Sequence, residues 1–124
     1  VILGDNIFEN TINKVPKSCG LVLKEVDNPG RFGVFCDGNI EEKPKNPKSK
    51  TVVTGLYFYT PEVFDFIKTL TPSNRGELEI TDVNNWCLKN LETETLMHKG
   101  FWSDAGTFKS LLASSRWASQ YNIT

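Results

Sequence analysis

The sequence predicts an α/β fold built on a mixed sheet. Three observations predict it. Short runs rich in Val, Thr, Tyr and Phe alternate with segments whose apolar residues recur at helical spacing. An Asp37-Gly38 turn between two strand-like runs marks an antiparallel hairpin within that alternation. Proline- and glycine-bearing breakers such as Asp27-Asn28-Pro29-Gly30 separate the elements.

Val1 to Leu3 is apolar and β-branched and reads as a buried strand stopped by Gly4-Asp5-Asn6. Residues 7 to 17 read as a short helix or loop ending near Pro16. Cys19 to Val26 is a second strand, and Phe32 to Cys36 pairs with Asn39 to Glu42 across the hairpin turn. Residues 43 to 50 form a basic loop whose two prolines exclude a helix interior or a central strand. Thr51 to Tyr59 returns as a strand. Pro61 suits a first helical turn, followed by Val63, Phe64, Ile67 and Leu70 at helical spacing. After a loop at residues 71 to 76, a helix from Glu79 to Leu91 carries Ile80, Val83, Cys87 and Leu91 on one face, with Glu77 and Glu79 as its caps. Thr93 to Met97 and Phe101 to Ser103 are strands. A last helix from Thr107 to Tyr121 is expected to bury Phe108, Leu111, Leu112 and Ala118.

At 124 residues the chain is of single-domain size, and residues 1–124 are taken as one partial domain. A net charge of −1 gives no general attraction to nucleic acid or to an anionic membrane. The three cysteines lack paired or Cys-x-x-Cys spacing, and His98 is the only histidine, which argues for reduced thiols, a cytoplasmic location and no zinc site. The apolar stretch from Val52 to Tyr59 is too short to span a bilayer. The opening inside a strand pattern suggests that the chain is part of something larger.

Five strings occur in a telling order. They are Leu3-Gly4-Asp5-Asn6-Ile7-Phe8, Glu41 to Ser49, Thr54 to Tyr59, Arg75 to Asn84, and Trp102-Ser103-Asp104-Ala105-Gly106-Thr107. Together they resemble the bacterial and archaeal glucose-1-phosphate thymidylyltransferases, over nearly the whole chain. The resemblance implies part of a Rossmann-like nucleotidyltransferase fold. It also implies a reaction of glucose 1-phosphate with a nucleoside triphosphate, typically dTTP, that gives dTDP-glucose for deoxysugar and rhamnose synthesis, releases pyrophosphate and uses Mg²⁺.

By that resemblance Asp5 and Asp104 are the metal ligands. Each also has a plainer reading, Asp5 as a turn former and Asp104 as a helix-entry residue. Lys43 and Arg75 are the catalytic cations expected to hold the sugar phosphate, against plain readings as solvated loop residues. Glu42 is matched to sugar hydroxyls, Gly33 and Gly55 to close backbone approach to the sugar, and Val53 and Tyr57 to the pocket wall. Val53 reads almost equally well as core. Trp86 and Trp117 read as core or subunit contacts, and His98 receives no role.

The family's Gly-rich loop, G-G-x-G-T-R-L, and the Lys-Pro pair after it do not occur in these residues. The expected function is therefore the sugar-phosphate half of a nucleotidyltransferase, truncated or completed by a missing N-terminal segment. The alternatives are a non-catalytic sugar-phosphate-binding or oligomerisation module, with a homo-oligomer as the partner state, and a decayed enzyme with no ligand.

Overall fold

The computed structural model describes residues 1–10, 14–71 and 79–120. Its centre is a five-stranded mixed sheet. β2 (Cys19–Glu25) lies between β5 (Thr51–Phe58), with which it runs antiparallel, and β6 (Thr93–Met97), with which it runs parallel. β3 (Gly33–Cys36) and β4 (Asn39–Glu42) form the expected hairpin, which joins β5 through Val34 and Val52 and completes the order β4-β3-β5-β2-β6. Gly38 turns the hairpin with φ of 75°, a left-handed conformation that costs glycine least.

The unbroken burial of Cys19 to Leu23 follows from cover on both faces of the sheet. On one face lie α1 (Glu62–Ile67) and α2 (Ile80–Asn90), joined by Phe66 stacked on Trp86 at 4.5 Å. Val63, Val83, Cys19 and Cys87 fill the space beneath them. Asn85 docks α2 on the sheet by accepting from Ile40 N–H and donating to Ile40 C=O, both at 2.8 Å. That clamp seats the first turn of α2 beside the end of the hairpin. Along β5, alternation turns Val52 to the other face, where it packs with Val34 and Trp102.

Trp102 belongs to a second, two-stranded sheet that the sequence reading divided differently. β1 (Asn6–Phe8) pairs antiparallel with β7 (Trp102–Asp104), Asn6 opposite Asp104. The short helix or loop expected from residue 7 thus opens instead as a strand, which begins at Asn6 within the expected turn. Val1 to Leu3 makes an isolated bridge, Ile2 with Leu56, beside the half of β5 that β3 leaves unpaired. Its side chains are exposed rather than buried, Ile2 at 59%.

The last helix, α3 (Phe108–Ala118), has the expected cap: Thr107 Oγ1 accepts from Ser110 N–H, and Ser110 Oγ accepts from Thr107 N–H. Its expected core face is not buried. Phe108 is 94% exposed and Leu111 and Leu112 about half exposed, while Ser110 and Ser114 turn inward. The small serines allow close packing on β7, and the apolar stripe looks outward. Trp117 stacks on Phe101 at 4.7 Å. Phe64 and Ile80 are likewise exposed, and Glu79 stands at the N-cap of α2 without a side-chain cap bond. Among the described residues no helix is long and apolar enough to cross a membrane.

Candidate active site

Between the two-stranded sheet, the floor of β5 and the first turn of α2 lies a cleft of about 300 Å³. Asp5, Gly33, Glu42, Lys43, Val53, Gly55, Tyr57 and Asp104 all line it. These residues are up to 99 positions apart in the sequence, Asp5 to Asp104. Arg75 lies outside the described residues, as does Glu77.

One rim is anionic. Asp5 ends the turn before β1 and Asp104 ends β7, so the antiparallel register brings the carboxylates to the same end of the small sheet. Ala105 N–H donates to Asp5 C=O at 2.6 Å and ties the two turns together. A Cβ on Gly106 would stand 3.0 Å from Asp104 Oδ2 and 3.7 Å from Asp5 Oδ2, so both carboxylates crowd one spot that only glycine leaves open.

Asn6 organises this rim. Its Oδ1 accepts from Gly55 N–H at 2.9 Å and from Trp102 Nε1–H at 2.8 Å, and its Nδ2 donates to Asp5 Oδ1 at 2.9 Å. The same amide fills the space above Gly55, where a Cβ would come within 2.5 Å of Nδ2. Gly55 therefore makes room for Asn6, a reason for the glycine that the sequence reading, which assigned it to the sugar, did not contain.

The other rim is cationic. Lys43 follows β4 with φ of 42°, a left-handed conformation uncommon for a residue bearing a Cβ, and its N–H donates to Phe32 C=O at 3.0 Å. Arg31 ends the 3-10 turn Pro29–Arg31, lies 5.0 Å from the Phe32 ring centroid, and reaches across the cleft to Asp104 Oδ2 at 3.2 Å. Glu42 Oε2 accepts from Thr81 Oγ1, which orients that carboxylate beside Gly33. A Cβ on Gly33 would meet Ile40 Cγ2 at 3.0 Å, so protein as well as open cleft surrounds that glycine.

Tyr57 forms part of the floor. Burial, then the Glu42 and Asp5 carboxylates, push its phenol up to about 12. Tyr59, raised still further by burial, donates to Asn84 Oδ1 at 2.6 Å and fixes that cleft-lining amide. Both phenols are neutral donors at ordinary pH.

Arg31, Asn6, Thr81, Asn84 and Trp102 are cleft residues to which the sequence reading gave no role. Asn6 stood within the quoted Gly-Asp-Asn string, and Arg31 directly follows the breaker at Pro29-Gly30. No cluster of three or more His, Cys, Asp and Glu side chains suited to a metal is present among the described residues. The two carboxylates are nevertheless a chemically suitable donor set for a hard divalent cation that takes its remaining positions from water and phosphate.

The family model described as nucleotidyl transferase matches residues 5–120. The chain is 41% identical over 127 residues to the glucose-1-phosphate thymidylyltransferase of Neisseria meningitidis, an alignment that covers 90% of this chain and 44% of that protein. It is 40% identical over 116 residues to the bifunctional protein GlmU of Methanococcus aeolicus, covering 86% of this chain and 28% of the relative. A crystal structure assigned as a glucose-1-phosphate thymidylyltransferase from Bacillus anthracis, in complex with sucrose, superposes with a TM-score of 0.85 at 44% identity. It covers 99% of this chain and 55% of that one. The chain thus spans less than half the length of these two curated relatives.

Proposed function

The chain belongs to the nucleotidyl transferase family, and from that premise we propose that its cleft is the sugar-phosphate side of a glucose-1-phosphate thymidylyltransferase. The observation that carries the reading is the meeting, in one cleft, of paired carboxylates on one rim and Lys43 with Glu42 on the other. We read residues 1–124 as one partial domain of such an enzyme.

The reaction is an in-line displacement. A phosphate oxygen of glucose 1-phosphate attacks the α-phosphorus of dTTP, the bond to the β-phosphate oxygen breaks, and pyrophosphate leaves with that electron pair. No covalent enzyme intermediate is needed, so the protein's work is positioning and charge neutralisation. Lys43, with Arg75, holds the attacking phosphate. Glu42, oriented by Thr81, accepts from sugar hydroxyls, and the neutral Tyr57 phenol and Val53 complete the sugar wall. Asp5 and Asp104 would hold Mg²⁺, which supplies charge neutralisation at the phosphates. The reading places the chain's work in the cytoplasm.

Glucose 1-phosphate should bind the chain weakly in calorimetry, and Lys43→Ala and Arg75→Ala should each weaken it. No binding, or binding indifferent to both substitutions, sinks the assignment. A pyrophosphate-release assay with dTTP and Mg²⁺ tests turnover. The exposed Phe108, Leu111 and Leu112 stripe favours a second reading, an oligomerising module that binds sugar phosphate without turnover. Binding with no pyrophosphate release, from a self-associated species, is the result that selects it.

A further inference from the structure

We propose that Arg31 is a placeholder for the cation: its guanidinium occupies Asp104 until a divalent ion takes that carboxylate, and then turns to the bound phosphate. The inference rests on the reading of Asp5 and Asp104 as the cation ligands.

Four observations support it. The Arg31–Asp104 contact joins one nitrogen to one oxygen at 3.2 Å, with side chains 39% and 19% exposed, so water reaches the guanidinium and a single long bond is all that a cation must displace. The oxygen that Arg31 holds, Oδ2, also borders the space over Gly106 that Asp5 Oδ2 borders from its own side. An ion shared by the two carboxylates therefore needs the site that the guanidinium covers.

Arg31 also keeps a second anchor at the cleft. Its guanidinium already lies over the Phe32 ring at 5.0 Å, and that ring is braced on Trp102 at 5.2 Å, so a guanidinium released from Asp104 stays anchored at the cleft. Its backbone is seated against the loop that carries Lys43: a Cβ on Gly30 would lie 3.2 Å from Pro44 C=O, and Lys43 N–H bonds Phe32 C=O. Arg31 and Lys43 consequently share one rim. The planar fork of the guanidinium suits a phosphate oxygen pair, which the point charge of Lys43 does not match.

The substitution Arg31→Ala should then have opposite effects on two ligands. With Mn²⁺ alone as the probe, followed by the electron paramagnetic resonance of the free ion, the variant should bind about three- to five-fold tighter, since a competitor of surface-pair strength is gone. With glucose 1-phosphate in the presence of saturating Mn²⁺, calorimetry should show several-fold weaker binding. Without any divalent ion the same substitution should change sugar-phosphate affinity little, because the guanidinium is engaged with Asp104. Arg31→Lys should fall between wild type and alanine in all three measurements. A merely structural arginine would weaken both ligands together.

Mn²⁺ binding that is abolished by Asp104→Asn but unchanged or weakened by Arg31→Ala overturns the placeholder while leaving the cation site standing. Failure of the wild-type chain to bind Mn²⁺, or indifference to Asp104→Asn, overturns the site and the placeholder together.

Discussion

The two rims of the cleft carry opposite charge and are held by different means. On the anionic rim the side chains are cross-linked: Asn6 alone bonds Asp5, Trp102 and the backbone of β5. On the other rim the backbone places the two cations, while a side-chain bond from Thr81 orients Glu42. Lys43 is presented by a left-handed residue, and Arg31 by a short turn wedged against Pro44. A rim tied by side chains links ligand geometry to stability, so it cannot be altered without loosening the fold. A rim set by main-chain shape leaves its charged groups free to exchange partners, and they can be replaced with little structural cost.

The largest expected effect tests the cross-linked rim. Asn6→Ala leaves Gly55 N–H and Trp102 Nε1–H without their acceptor and should cost about 3 kcal/mol in urea unfolding. Gly55→Ala forces a Cβ against the same amide and should cost about 2 kcal/mol. Because the clash is with Asn6 itself, the double variant should lose clearly less than the two single losses added together. Simple additivity would remove Asn6 as the organiser.

The next effect tests the backbone-set rim. Lys43→Gly relieves the left-handed strain and should leave stability unchanged or raised by up to about 1 kcal/mol, while glucose 1-phosphate binding falls about ten-fold. A loss of stability matching the loss of binding would erase the contrast between the rims.

The smallest effect concerns Tyr57, whose phenol is raised by burial and then by carboxylates of both rims. Its proton is retained in the folded state and lost from the unfolded chain above the ordinary value of 10.0. Its contribution to stability is therefore full below pH 10 and is lost as pH rises toward about 12. Urea midpoints at pH 8 and 11 should show that decline, and Tyr57→Phe should reduce it. Tyr59 and Cys87, also raised by burial, supply the remainder.

These contrasts also mark what could be read in advance. β2, β5, the hairpin and α2 were legible because alternation, breakers and helical spacing are local signals. β1 was not, because three residues after a turn carry too little pattern to distinguish a strand from a loop. For α3 the period was right and the buried side wrong: a sequence shows that an apolar stripe exists, but not which neighbour covers it. Within the cleft, the ordered motifs gathered Asp5, Asp104, Glu42 and Lys43 through resemblance. Arg31 and Asn6 were missed as actors because their importance lies in contacts with residues 73 and 96 positions away.

The hydrogen bond from Trp102 to Asn6 has an optical consequence. The chain has three tryptophans, and Trp86 and Trp117 are stacked on phenylalanines away from the cleft lining. Trp102 alone lines it, with its indole N–H bound to the amide that also holds Asp5. Any ligand that pulls on Asp5 shifts the electrostatic surroundings of that indole. The chain thus carries a built-in fluorophore at its anionic rim, and the emission spectrum of the unlabelled protein is a titration signal for occupancy.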